Sequence, residues 1–589
     1  MDVDAAAPTP PKEALVRQCL AEALASPSFS RSSRLSRFLR FVVESSLDGA
    51  EENLKEYTIG VEVFDRDETF DPRIETIVRV EARRLRNQLS EYYGGPGRED
   101  QLRIEIPKGG YRPVFRPRSP VQPAGPSQAL DPKTIVVLPF ADMTPGGDQS
   151  YWGDGLAEEI THALAQVEGL QVISRTSAFA FRDQNLEVRE IGQKLGAGTA
   201  LEGSIRTSQQ QIRVTAQLID AASGRHLWSE RFDRNLDDAF KVQDDVTQAV
   251  LERLRETLAG NPAQHPKRRR PVNRSAFDLY LKGRHSLYRY TREGVASAID
   301  CFESATAQDS NYAQPWAGLA EAYTISAIVG WAPPREVMPR AKKAALRAIE
   351  IDDRAAEAHA SLAMVLFRYD YEWENAEKAY ERAMELSPGS GTIRIWYASF
   401  LVFRQRPEQA IFEARRASEL DPLSVEAQRV VADTLYFCRR YDETVEQCQL
   451  ILSHHPNYYF AHFYIGMALV GQQRPCEAVE ALATAKRLAG ETPMTRSMLA
   501  WASAKAGNAT LARELLEALE EERKRSYFPS FLIALVYNGL GDVDPAFEWL
   551  ERGLADRDAL FPVLEVDQTW DPLRSDVRFT SILERMGLG

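Results

Sequence analysis

At 589 residues the chain is too long for one hydrophobic core, and three or four domains is the natural reading. Its 44% hydrophobic and 27% charged residues are those of a globular protein, and no uninterrupted apolar run approaches the ~20 residues of a membrane helix. A net charge of −13 argues against indiscriminate nucleic-acid binding by the whole molecule while leaving room for one basic face.

The start, MDVDAAAPTPP, holds two acids and no apolar segment, so residues 1–11 read as a disordered leader and the protein as cytoplasmic. Five scattered cysteines (Cys19, Cys301, Cys438, Cys448, Cys476) form no C-x-x-C pair and read as apolar fillers in a reducing compartment. Helices are expected over Lys12–Ser26 and Phe29–Leu47, with Arg31, Arg34, Arg37 and Arg40 on a solvated face. From Lys12 to Arg118 there are 19 basic and 18 acidic residues, so any basic surface in this region has to come from clustering.

The clustering occurs in the stretch from Asp71 to Phe115. Val78, Ala82, Leu85, Leu89 and Tyr92 recur at spacings of 4, 3, 4 and 3, one apolar stripe along a helix. Off that stripe lie Arg79, Arg83, Arg84, Arg86 and Asn87, side chains suited to phosphates and base edges. A Gly-Gly-Pro-Gly turn, an alternating strand over Leu102–Ile106, a turn over Pro107–Gly110 and a returning strand over Tyr111–Phe115 follow.

A basic helix followed by a hairpin is the ending of a winged helix. VRVEARRLRNQL resembles the recognition helix of the OmpR/PhoB-type winged-helix family, matching it at Val78, Val80, Arg84, Leu85, Arg86 and Leu89, and Gly110-Tyr111 resembles its wing. The resemblance implies a winged helix-turn-helix domain over 12–117 that binds double-stranded DNA through Arg79, Arg83, Arg84, Arg86, Asn87, Lys108, Tyr111 and Arg112. Three positions depart from the family. Glu81 stands where histidine is common, Lys108 replaces a wing glycine, and one extra residue separates Tyr111 from Phe115.

Residues 118–133 are rich in Pro, Ser and Gly and read as a linker. A small α/β domain is expected over 134–258, with strands at Thr134–Phe140, Leu170–Ser174, Ala200–Asp220 and His226–Phe232. Its helices are expected at Gly155–Val167 and Leu186–Leu195. The pieces IVVLPF, YWGDGLAEEIT and IGQKLGAGTALEGSIR resemble the TolB amino-terminal-type domain of CadC-like regulators and cyclase-linked proteins, which implies an assembly module without its own chemistry. Neither a phosphate loop, H-E-x-x-H nor G-x-S-x-G occurs, and His162 and His226 stand alone, so no catalytic, metal or cofactor residue is assigned. Residues 259–272, with Lys267-Arg-Arg-Arg270, read as a second linker.

Beyond it the sequence repeats. Ala376, Ala410, Thr444, Ala478, Ala512 and Ala546 are each 34 residues apart, and Pro388, Pro422 and Pro456 follow at the same period. This period and Trp316-x-x-Leu319-Ala320-x-x-Tyr323 resemble the tetratricopeptide family, which implies about eight helix hairpins over 273–560 stacked as an α-solenoid whose concave groove takes a protein or peptide. Residues 561–589 read as a C-terminal cap, Trp570 and Leu573 covering the last repeat. The aromatics Trp396, Tyr397, Tyr436, Tyr458, Tyr459, Phe463 and Tyr464 read mostly as packing between repeats.

The chain thus reads as multidomain and mainly α: winged helix, small α/β domain, repeat array. The function this implies is a one-component transcription regulator, with DNA at one end, a protein partner at the other, no membrane and no enzyme activity. The alternatives are a scaffold that does not bind DNA and, further off, a partner in a nucleotide cyclase pathway.

Overall fold

The structure is a computed structural model. It describes residues 13–26, 29, 32–49, 54–67, 70, 77–94, 97, 100, 102–107, 110–117, 130–144, 150–182, 184, 186–208, 211–235, 239–257, 273–490, 492–525 and 527–588. The leader 1–11, most of the linker 118–133 and all of the linker 259–272 lie outside these residues. Asp131–Lys133, expected as linker, already begin a strand. The chain divides into two compact units, Met1–Ala129 and Leu130–Gly589.

The first unit contains α1 (Glu13–Ala25), α2 (Ser33–Leu47), α3 (Glu56–Phe64) and α4 (Ile77–Gly94), then an antiparallel hairpin of β1 (Leu102–Glu105) and β2 (Val114–Pro117), with Ile104 opposite Phe115. Val78, Ala82, Leu85, Leu89 and Tyr92 of α4 are all buried, in one core with Phe38, Leu39, Val42 and Val43 of α2 and Leu102 and Ile104 of β1. The Tyr93 hydroxyl accepts from the Ile104 N–H at 2.9 Å and ties helix to hairpin. Helix α3 stops at Asp65, in the left-handed region at φ 54°, and Arg37 of α2 donates to both Asp65 carboxylate oxygens at 2.8 Å. The ring of Phe70 lies so close over Gly60 that a Cβ there would approach it to 2.2 Å, so this packing requires glycine.

The second unit begins with a sheet of β3 (Asp131–Val137), β4 (Ala141–Asp142), β5 (Gln171–Val172), β6 (Ala197–Thr207), β7 (Gln211–Asp220) and β8 (Arg225–Asn235). The strand order is β5-β3-β6-β7-β8 with β4 beside β6; β3 runs parallel to β5 and β6, and β6, β7 and β8 are antiparallel. Side chains alternate across the sheet. Ile135 and Val137 share a core with α5 (Ser150–Ala165) and α8 (Ala239–Thr257), while Val136 and Leu138 pack with α6 (Arg175–Phe179) and α7 (Val188–Leu195) on the other face.

Eight helix hairpins follow among the described residues. They are α9 (Arg274–Leu287) with α10 (Arg292–Gln308), α11 (Ala313–Ile328) with α12 (Pro334–Ile351), α13 (Ala356–Val365) with α14 (Trp373–Leu386), and α15 (Gly391–Phe403) with α16 (Pro407–Leu420). Then come α17 (Val425–Phe437) with α18 (Tyr441–His454), α19 (Tyr459–Gly471) with α20 (Pro475–Ala489), α21 (Pro493–Lys505) with α22 (Ala509–Arg523), and α23 (Ser530–Leu540) with α24 (Val543–Asp556). Ala376, Ala410, Thr444, Ala478, Ala512 and Ala546 sit in the second helices of the last six hairpins, each with 0% exposure. A larger side chain there would push neighbouring helices apart, which is why the period falls on small residues. Four residues on, Tyr380, Ala414, Cys448 and Leu482 are equally buried, Cys448 acting as an apolar filler. In the third hairpin a π-helical turn, Leu366–Asp370, extends α13.

The α/β module and the array, expected as separate domains on either side of a linker over residues 259–272, are joined by contacts at several repeats into one compact unit. Tyr151 and Glu159 of α5 bond Asp278 (2.7 Å) and Tyr280 (2.6 Å) of α9. Arg284 of α9 bridges Glu158 of α5 and Glu321 of α11, both at 2.7 Å. Burial opposes charge on Glu158, but Arg284 and Arg175 beside it hold its carboxyl below the usual range. Further along, Gly389 N–H donates to Ala165 O at 3.0 Å and Ser174 N–H to Leu420 O at 2.7 Å. Asp421 accepts from both the backbone N–H (3.0 Å) and hydroxyl (2.6 Å) of Ser177.

The C-terminal segment, expected to cover the last repeat, reaches much further. It comprises two 3₁₀ turns, Phe561–Glu565 and Gln568–Leu573, and α25 (Val577–Arg585). Trp570 does pack on Phe531 of α23, at 5.0 Å between ring centroids. The segment then crosses the carboxy-terminal ends of the first helices back to the third hairpin. Tyr436 donates to Asp567 (2.8 Å), Gln568 to Met467 O (3.0 Å), Arg368 to Ala559 O (2.9 Å) and Trp373 to Met586 O (2.6 Å).

Candidate functional site

The residues expected to meet DNA separate into two groups. Arg79 and Arg84 stand on the outer face of α4 with side chains 57% and 66% exposed, and Arg112, beyond the hairpin turn, is exposed as well. Arg86 turns back. Its guanidinium donates to the carbonyls of Ile106 (2.9 Å), Pro107 (2.9 Å) and Gly110 (3.0 Å), so it holds the hairpin turn against α4 instead of facing outward. Tyr111 is half-buried, its hydroxyl donating to Glu56 at 2.6 Å. Lys108 and the side chains of Arg83 and Asn87 lie outside the described residues.

Glu56, which no sequence pattern had marked, organises this surface from the first turn of α3. Its carboxylate receives Nε and a second nitrogen of Arg79 (2.8 and 3.1 Å) along with the Tyr111 hydroxyl. The Arg79 hydrogen bond holds the Glu56 carboxyl below its ordinary range, opposed by partial burial. Its partners lie 23 and 55 residues away in sequence, separations at which periodicity carries no signal. Glu81, the departure from the family pattern, is buried at 6% exposure and bonds Arg84 at 2.8 Å, so its charge is taken up within the helix.

At the other site expected from sequence, a groove along the repeats, the first helices are contacted both by the module and by the C-terminal segment. The module packs along α9 to Arg284 in its last turn, touches Glu321 in α11 and reaches the loops before α15 and α17 at Gly389 and Asp421, while the C-terminal segment lies on the carboxy-terminal side of the later first helices. Phe561, Leu564, Trp570, Leu573, Phe579, Ile582 and Met586 of that segment are each at most 2% exposed. A peptide entering from that side would have to give up those burials, each about 1.5–3 kcal/mol relative to exposure. Among the repeats themselves Tyr464 of α19 donates to Asp433 of α17 (2.5 Å), Arg429 pairs with Glu426 within α17 (2.8 Å), and Tyr397 of α15 packs on Tyr380 of α14 at 5.5 Å. Tyr397, Tyr436, Tyr458 and Tyr464 thus make contacts between repeats, in line with the reading of these aromatics as mostly packing.

Among the described residues no group of three or more His, Cys, Asp or Glu side chains could hold a metal ion, and no helix is long and apolar enough to cross a membrane. His162 lies 3.9 Å from Glu357 across the module–array contact, and His226 is exposed on β8.

No protein-family model matches the sequence. The chain is 33% identical over 260 residues to a Rhizobium meliloti (strain 1021) protein named "Putative adenylate cyclase 3", covering 44% of each. It is 25% identical over 177 residues to Transcriptional regulator HilA of Salmonella typhimurium, covering 30% of this chain and 32% of that one. The chain thus spans less than half the length of these relatives. Among solved structures, a tetratricopeptide repeat protein from Parabacteroides merdae aligns over 45% of this chain and 98% of its own, at 13% identity and a TM-score of 0.34. YrrB, a tetratricopeptide protein with an unusual peptide-binding site, aligns over 33% of this chain and 95% of its own, at 20% identity and a TM-score of 0.24. The repeat assignment itself rests on the 34-residue period and the hairpins.

Proposed function

We propose that the chain is a cytoplasmic transcription regulator without enzyme activity. In this reading residues 12–117 form a winged helix that binds double-stranded DNA, residues 134–258 form a TolB-like module that holds the array, and the repeats take a protein or peptide partner. The observation that carries it is the set of exposed arginines, Arg79 and Arg84 on α4 and Arg112 beyond the hairpin turn, with Arg86 holding that turn to α4 and Glu56 joining Arg79 to Tyr111. A basic helix backed by an apolar core and flanked by a hairpin fits a major groove with its hairpin on the adjacent backbone. The likeness to a protein named as a transcriptional regulator supports the same reading.

A second reading, an interaction scaffold that does not touch DNA, is supported by the repeat array, which makes up about half of the chain. Salt distinguishes the two. Each phosphate contact contributes a slope of about −0.9 in log K against log salt, so three contacting arginines give roughly −3. Fluorescence anisotropy of the full chain with a selected duplex pool, titrated with salt, measures this. Binding no stronger than that of a neutral control protein at low salt would leave the scaffold as the reading.

A further inference from the structure

With the C-terminal segment seated along the ends of the first helices, a partner of the array has reason to use another seat. One large opening lies beside the exposed side of α12. A cleft of about 690 Å³ runs along α12 between Trp316, at the start of α11, and the π-helical turn after α13. Pro339, Lys343, Leu346 and Glu350 line it at spacings of 4, 3 and 4, one row along the exposed side of α12. Val365 and Tyr369 form the opposite wall, Tyr369 from within the π turn, a local widening of the helix that recurs at functional sites. Leu346 is 48% exposed, an apolar side chain in the floor with nothing of this chain over it.

The rim charges say what kind of segment fits. Lys342 is bonded to Asp370 at 2.7 Å and lies 3.6 Å from Glu372, and Arg347 is paired with Glu350 at 2.6 Å. Lys343, exposed between them, has no counter-ion among the described residues, and so is the one cation among these that an acidic group of an occupant could pair. The walls are apolar side chains on helices whose own backbone groups are already bonded. An extended peptide laid there would leave its N–H and C=O groups without partners, whereas a helix satisfies its own. Pro339 to Glu350 spans about 16 Å along the helix axis, three turns of an occupant lying alongside.

We propose that the seat of the array's partner is this cleft along α12, and that the partner is an amphipathic helix with leucine or aromatic residues on its inner face and a carboxylate placed for Lys343. The proposal rests on the reading that the repeats take a protein partner, and it names the surface and the class of segment.

Selection from a displayed library of helix-forming peptides on the full chain tests it. The expected winners carry apolar residues at i, i+3 or i+4, and i+7 with an acidic flank, and bind roughly tenfold or more weakly to L346E and to K343E. Both substitutions are at exposed positions, and unchanged thermal melts show that the variants fold. Tyr436→Phe, which alters only the hold on the C-terminal segment, is expected to leave binding unchanged. Winners that bind L346E and K343E as tightly as the parent overturn the cleft while leaving a peptide partner in place. A selection that yields no binder overturns the peptide-partner reading itself.

Discussion

Arg84 and Arg86 are two residues apart on the same helix, yet the structure gives them opposite work. Arg84 projects outward from a buried Glu81, while Arg86 spends three donors on the turn of the hairpin. Arg84→Ala is expected to weaken binding to a selected duplex by about 1–3 kcal/mol with the melting curve nearly unmoved, if the side chain reads a base. Arg86→Ala is expected to lower thermal stability, since three carbonyls lose donors that are worth about 0.5–1.5 kcal/mol each. Anisotropy and calorimetry on the two variants check this pair, and an Arg86→Ala protein with intact stability and lost binding would return that residue to the DNA surface. Both arginines sit off the apolar stripe, so periodicity treats them alike. What distinguishes them is the position of the hairpin turn, about twenty residues on in sequence, and that comes only from the fold.

The C-terminal segment shows how an element can be legible in its composition and hidden in its reach. Trp570 and Leu573 were readable as buried from their bulk, but the seat against Arg368, Trp373 and Tyr436 depends on how far the repeats curve before the segment begins. Two carboxyls in it, Asp558 and Asp567, are pushed up to about 6 by burial, against the hydrogen bonds each accepts. Because their folded values are raised above the ordinary 3.8, their contribution to stability is fully present below that value and is lost as pH rises through about 6. The segment should therefore be held more firmly at about pH 5 than at about pH 7, by roughly 1 kcal/mol for each carboxyl. Melting the parent and an Asp558→Asn/Asp567→Asn variant across that range tests it. Parallel curves would mean that these carboxyls are not the source.

In the second unit as a whole, the module and the repeats share buried polar contacts that span more than a hundred residues of sequence, from Glu158–Arg284 to Ser177–Asp421. Burial raises the Asp421 carboxyl, against the Ser177 hydrogen bonds that favour its charge. Asp421→Ala leaves the Ser177 N–H and hydroxyl without their acceptor and is expected to cost about 1–3 kcal/mol. Calorimetry of the full chain should show module and array unfolding in one transition, shifted down in the variant. Separate transitions for the two in the parent would contradict the shared interface.

The features that sequence alone determined are those written in local period and composition. The 34-residue recurrence follows from helix packing between neighbours, so each repeat carries its own copy of the constraint and the pattern survives without any knowledge of the fold. The apolar stripe of α4 follows in the same way from the turn of one helix. Tertiary structure decided what those elements were used for. The Glu56 clamp on Arg79 and Tyr111, the module's hold on Asp421 and the seat of residues 558–588 across the ends of the first helices all join groups far apart in the chain. Single polar side chains make these contacts once, with no period to announce them, and their pairing is settled only when curvature and core packing bring the partners within bonding distance.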